Sequence, residues 1–220
     1  FLAVLCEGVS REQEFEHFQK IYEHFGHEAP KQDGVCYEVD FGTVRVRREK
    51  HLEFITYTFV NLDVENCTDP FDCSGISRIP VQWLSELPGT VVVSFHVAIE
   101  DARSQPEPAL PVVKSFFEGM RLVGSSPQNG DARVWTTFQL HSDGFGRFLI
   151  YNKKMSDSQL GRLTQRVMEI ETYRLMALLG LPLARKYNPE LSEMDRKLAD
   201  TTSTLAEHSD LDERILLGKL

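Results

Sequence analysis

The chain has 220 residues, with 24 Lys and Arg against 33 Asp and Glu, a formal net charge of −9 at neutral pH. Affinity for nucleic acid rests on many cationic side chains neutralising phosphates, so this balance excludes a general phosphate-backbone binder. Apolar residues at 41% and charged residues at 26% are ordinary for a water-soluble globular chain with one substantial core or two small ones.

No apolar run reaches the roughly 18 residues of a membrane span; the nearest candidate, Leu175 to Leu183, is broken by Gly180 and Pro182. The chain starts at Phe1, directly in the apolar run F-L-A-V-L-C, and so reads as a fragment of a longer protein. Cys6, Cys36, Cys67 and Cys73 show no C-x-x-C spacing, and reduced thiols in a cytoplasmic domain are expected. Cys67 and Cys73 share the loop N-C-T-D-P-F-D-C-S-G, where they could pair, bind a metal or stand as incidental loop cysteines.

In chain order, Phe1 to Cys6 is a buried-strand pattern. Ser10 with Gln13 forms a capping box that opens a helix through Phe15, Phe18, Ile21 and Tyr22, ending at Gly26. Val35 to Phe41, Val44 to Arg48 and Leu52 to Val60 read as half-buried antiparallel strands. Pro80 and Trp83 open a short helix that Pro88-Gly89 ends. T-V-V-V-S-F-H-V-A-I then follows as the most continuously apolar strand, expected at the centre of a sheet. A helix over Leu110 to Met120 leads into Leu122 to Ser126. The hairpin R-V-W-T-T-F-Q-L-H and F-G-R-F-L-I-Y turns at Ser142-Asp143-Gly144. Ser156 caps a helix to about Leu179, and Asn188-Pro189 is expected to restart another with Leu191, Met194, Leu198 and Leu205 along a weak seam that Thr201 and His208 interrupt. The end, Leu211 to Leu220, is expected to fray.

This order predicts an α+β fold: mainly antiparallel sheet with helices packed on one face, then a long C-terminal helical segment. The expected units are an α+β domain over 1–152, a helix over 156–187 packed on the sheet core, and a stalk-like segment over 189–220. Halves 1–61 and 91–152 repeat the order strand, helix, strand, long hairpin, which leaves a pseudo-duplication open.

On the helix that includes M-E-I-E-T-Y-R-L-M-A-L-L-G, Val167, Ile170, Ala177 and Leu178 lie within about 60° of Leu163; Arg174 falls inside this apolar arc at about 20° and Glu171 at its edge at about 80°. Either this is an internal pair that fixes how the helix docks, or it joins charged residues of the hairpins in a pocket for a small anionic or polar ligand. On the strands, His51, Glu53, Ile55, Tyr57 and Phe59 would share one face, and Arg133, Trp135, Thr137, Gln139 and His141 another, with Asp143 and Arg147 at the turn. The stretch Arg45 to His51 reads as a solvated hairpin. There is no Walker loop, no H-E-x-x-H, no G-x-S-x-G and no metal spacing among the seven histidines, so no metal, cofactor or catalytic residue is assigned.

Three stretches carry a family resemblance: H-L-E-F-I-T-Y-T-F (His51 to Phe59), R-V-W-T-T-F-Q-L-H-S-D-G-F-G-R (Arg133 to Arg147) and G-R-L-T-Q-R-V-M-E-I-E-T-Y-R-L-M-A-L-L (Gly161 to Leu179). The chain resembles the bacterial domain of unknown function 3422, whose members are described as membrane-anchored. The family pattern includes Glu53, Trp135, His141, Asp143, Arg147, Arg162, Arg166, Glu171 and Arg174. The resemblance implies a domain on the cytoplasmic side of the inner membrane, anchored beyond this fragment.

The leading expectation is a module that binds a protein partner or small ligand, with homo-oligomerisation through the C-terminal helices open. Candidate site residues are His51, Glu53, Arg133, His141, Asp143, Arg147, Arg162, Arg166, Glu171 and Arg174. The arginines at 162, 166 and 174 would contact an anion that Glu53, Glu171 and Asp143 help to orient. The alternative is a hydrolase or transferase with His51 or His141 as general base beside Glu53 or Asp143.

Overall fold

A computed structural model of the chain describes residues 1–63, 67–104 and 106–207, with the side chains of 205–207 left aside. Leu205 as a seam residue, His208, and the end from Leu211 to Leu220 therefore lie outside what is described. The chain forms two compact units, Phe1–Tyr173 and Arg174–Leu220.

The first unit is built on one eight-stranded sheet: β1 (Leu2–Leu5), β2 (Cys36–Asp40), β3 (Val44–Lys50), β4 (Phe54–Asn61), β5 (Thr90–Asp101), β6 (Val123–Ser125), β7 (Ala132–Thr136) and β8 (Gly146–Asn152), in the order β2-β3-β4-β1-β5-β8-β7-β6. The helices are α1 (Arg11–His24), α2 (Val81–Ser85), α3 (Leu110–Phe116), α4 (Asp157–Leu179) and α5 (Leu181–Glu207). The α+β class is as expected. The apolar strand β5 is central, and its two ends pair with β1 and β8.

Outward from the centre each half has its first, fourth, third and second strand, yet the directions differ. The β1 strand is antiparallel to β4, whereas β5 is parallel to β8.

Local chemistry accounts for the elements. The Ser10 hydroxyl accepts from the Gln13 N–H at 3.2 Å and the Gln13 side chain accepts from the Ser10 N–H at 3.1 Å, so both orphan donors at the start of α1 are satisfied. That helix buries Phe15, Phe18, Ile21 and Tyr22 against Val44, Val46, Ile55, Tyr57 and Phe59. Trp83 of α2 closes the cluster, donating its indole N–H to the His17 carbonyl at 2.9 Å.

A second core joins Val113 and Phe117 to Ala98, Trp135, Leu149 and Tyr151. Leu2 lies opposite Ser94, and Ser94, His96 and Ala98 alternate on one face of β5, so α1, α2 and α3 cover the same face of the sheet. The other face receives α4, which starts where Ser156 and Gln159 cap each other.

Three expectations are corrected. The helix α5 begins at Leu181 and runs through Asn188 and Pro189 without restarting there. Pro182 sits in its first turn, where no internal donor is lost, so the helix starts ahead of the expected site. Cys67 and Cys73 form a disulfide, while Cys6 and Cys36 are free. Alkylation of the denatured, unreduced protein is therefore expected to label two cysteines, rising to four after reduction; four labels without reduction would contradict the bond.

The stretch Arg45 to His51 is only half solvated. The side chains alternate across β3, so Arg48 joins Val44 and Val46 in the core and is fully buried.

Candidate functional site

The charged residues of the second hairpin gather on the α3 side of the sheet and not on α4. Arg147 alternates with Phe148 along β8, and its side lies toward α3 while Phe148 faces α4. The Arg147 guanidinium donates to the Phe116 carbonyl at 2.7 Å and to Asp143 at 2.9 Å, lies 3.6 Å from Glu118, and covers the Phe71 ring at 5.2 Å.

The strand β7 ends at Thr136 and Phe138 takes a φ of +54°, so the predicted alternation from Arg133 to His141 breaks there. His141 lies beyond the break with its side chain wholly buried, 3.1 Å from the Thr137 hydroxyl and 3.6 Å from Glu118. The turn falls where expected, the Gly144 N–H donating to the His141 carbonyl at 2.9 Å with Gly144 at φ +80°.

Two members of this cluster were missed. Glu118, at the end of α3, accepts from the Ser142 hydroxyl at 2.6 Å. His96 stacks on Phe145 at 4.3 Å with its Nε2 3.9 Å from Asp143. A histidine inside the apolar run of β5 was a visible signal for the second; Glu118 offers none beyond its place before Gly119.

Burial lowers the pKa of His141, and Arg147 lowers it further. Burial lowers His96 to about 4. Burial alone would raise Asp143, but the Arg147 hydrogen bond brings it below its usual value. Near neutral pH the cluster thus sets one guanidinium between two carboxylates beside two uncharged imidazoles. It fastens the 141–145 turn to α3. The His141 side chain is buried, so it presents no open face to solvent.

Arg133, His51, Glu53 and Arg162 lie apart from this cluster. Arg133 lies 3.4 Å from Glu107 and beside Trp135. Because β4 starts only at Phe54, His51 and Glu53 lie in the turn before it and the predicted face is shortened; Glu53 is exposed. Arg162 donates to the Ser158 hydroxyl at 2.7 Å. Arg174 opens the second unit.

On α4, Glu171 and Thr172 are buried while Ile170 and Leu178 are 58% and 45% exposed. The buried face is rolled toward Glu171 because the helix sits astride two apolar stripes. Leu163, Val167 and Ile170 line a cavity of about 250 Å³ with Phe138 and Phe148, and Arg166 and Glu171 also line it. Leu160 and Met168 line a larger groove on the other flank.

That groove, about 630 Å³, runs between α4 and the outer face of β2, β3 and β4. Its floor is Arg45, Arg47, Glu49, Thr56 and Thr58, the residues of β3 and β4 that alternate away from the core. Arg45 lies 3.2 Å from Asp40 and 3.8 Å from Glu38, and Arg47 is 3.0 Å from Glu49, so both cations are already engaged. His51 stacks on Phe54 at one end, with its Nε2 3.4 Å from the Thr56 hydroxyl. Met168, Leu160 and Tyr173 form the apolar wall, with Glu169 and Asp157 beside them.

The wall also contains Gly161, and a Cβ built there meets nothing within 4 Å. A glycine inside a helix costs about 1 kcal/mol relative to alanine, and no internal contact requires it here. Gly161→Ala is therefore expected to stabilise the fold by roughly 0.5–1 kcal/mol, measured by urea denaturation. A loss of stability would mean that the glycine serves packing.

Among the described residues no cluster of three or more His, Cys, Asp or Glu could hold a metal, and no helix is long and apolar enough to cross a membrane. Fold and surface define an α+β domain with a concavity of about 630 Å³ walled by a helix and floored by a sheet. The chain belongs to the family described as protein of unknown function (DUF3422), which it matches over residues 1–220. No curated protein and no solved structure matches it.

Proposed function

We propose that this domain is a binding module and that its ligand lies in the groove between α4 and the outer face of β2–β4. Gly161 carries the reading: the helix forgoes stability at an exposed position on the groove wall where a Cβ would meet nothing within 4 Å. A volume of about 630 Å³ suits a drug-sized molecule or a few residues of a peptide.

The lining favours an amphipathic cation. Glu38, Glu49, Asp157 and Glu169 outnumber Arg45 and Arg47, and Phe54, Leu160, Met168 and Tyr173 offer apolar and aromatic surface. An anion held by Arg162, Arg166 and Arg174 has less support, since Arg162 is exposed and tied to Ser158.

The test is a thermal-shift panel of aryl-alkyl amines and short basic amphipathic peptides, run beside carboxylate counterparts of the same size. Binding to the native state alone raises the midpoint with ligand concentration. Shifts with the amines or peptides and none with the carboxylates are expected; the reverse preference, or no shift with any member, would overturn the reading.

A further inference from the structure

Helix α5 leaves an apolar stripe in solvent. Tyr187, Leu191, Met194 and Leu198 are 45%, 57%, 63% and 57% exposed, and their separations of four, three and four residues keep them on one face. Ala184 and Thr201 extend the same spacing at either end. Pro189 falls on the opposite face, so the residue least suited to a close helix contact points away from the stripe.

The charges beside the stripe discriminate between the ways in which two such helices can meet. Glu190 flanks Leu191 and Lys197 flanks Leu198 on the same side, while Asp195 flanks the other side. In a parallel pair Glu190 would face Asp195 of the second copy, like charge on like charge. In an antiparallel pair with Leu191 over Met194 of the second copy and Tyr187 over its Leu198, Glu190 meets Lys197 of the second copy, and two-fold symmetry makes the contact twice. Lys197 is held only by an exposed ion pair with Glu193 at 3.1 Å, which is weak and easily exchanged.

We propose that α5 pairs with α5 of a second copy of this chain as an antiparallel coiled coil centred between Leu191 and Met194. The seam is short, about 26 Å from Ala184 to Thr201 at 1.5 Å per residue, so the dimer dissociates on dilution. The pairing uses neither the groove nor α4.

Sedimentation equilibrium of the whole 220-residue chain over a wide concentration range tests this, with circular dichroism confirming helix content in each variant. The wild type is expected to show a monomer–dimer equilibrium, and Met194→Asp to be monomeric. Glu190→Lys places two like-charge contacts in the antiparallel seam and is expected to weaken association about tenfold. Lys197→Glu should do the same, and the double swap Glu190→Lys with Lys197→Glu should restore it. A chain that stays monomeric throughout, a Met194→Asp variant that still dimerises, or a Glu190→Lys variant that associates as well as or better than the wild type would overturn the proposal. Gly161→Leu, which blocks the groove, should leave the equilibrium unchanged.

Discussion

Replacing Arg48 by alanine is expected to cost the fold about 3–5 kcal/mol, the range for removing one partner of a buried ion pair. The side chain is fully buried and holds four elements of the fold together. Its Nε donates to Glu14 of α1 at 2.9 Å and one terminal nitrogen donates to the second Glu14 oxygen. The other terminal nitrogen donates to the Gly34 carbonyl at 3.2 Å, while Asp33 lies 3.1 Å from the nitrogen that also bonds Glu14. Tyr57 of β4 completes the site by donating its hydroxyl to Glu14.

Burial by itself would lower the Arg48 pKa, but the Glu14 hydrogen bonds hold it above the ordinary value. Burial and the Glu14 charge keep the Tyr57 phenol protonated as a donor. Arg48→Ala would leave Glu14, 3% exposed, as a buried carboxylate without its cation. The double replacement Glu14→Leu with Arg48→Met removes both charges and is expected to lie within about 2 kcal/mol of the wild type. Urea denaturation of the single and double variants measures both. If Arg48→Ala lost less than about 1 kcal/mol, the network would not be the lock between α1 and the sheet.

Acidification from pH 7 to pH 5 is expected to destabilise the protein by at least 2 kcal/mol, the second largest effect. His17, His96 and His141 are all held below the ordinary histidine value, in each case by burial first. A histidine with a lowered folded pKa binds its proton more readily in the unfolded chain. Its contribution is therefore present above the unfolded value near 6.5 and is lost as pH falls toward the folded value. With His96 lowered to about 4, that residue alone accounts for roughly 2 kcal/mol at pH 5. Thermal midpoints taken across this window for the wild type and for His96→Phe measure the slope. A variant with the same slope as the wild type would contradict the assignment to His96.

Local chemistry was legible in the sequence wherever one short segment decides the outcome. The reciprocal cap of Ser10 and Gln13, the Asp143-Gly144 turn and the central place of β5 depend on a few neighbouring residues, and each forms as read.

The candidate site was harder because it depends on which side of a sheet each residue takes. His141, Asp143 and Arg147 do gather, but on the α3 face, with Glu118 and His96 completing the group. The strand ends at Thr136, well short of the expected His141, which breaks the face count that placed His141 beside Arg133. The alternation of Val44, Val46 and Arg48 did hold the information that Arg48 points inward, yet the flanking Arg45, Arg47 and Glu49 masked it. The roll of α4 follows from two apolar stripes of similar strength, which periodicity along a single helix cannot rank. The pairing of Cys67 with Cys73 depends on how their loop folds back, which their spacing alone does not fix.

The most direct test of the central claim is a calorimetric titration of a short basic amphipathic peptide into the wild type and into Gly161→Leu. The leucine enters open groove space and should leave the fold at least as stable, so loss of binding would not reflect unfolding. Binding to the wild type with at least tenfold weaker binding to a folded Gly161→Leu is the result expected. Equal affinity for both proteins would place the ligand elsewhere and contradict the assignment of the groove.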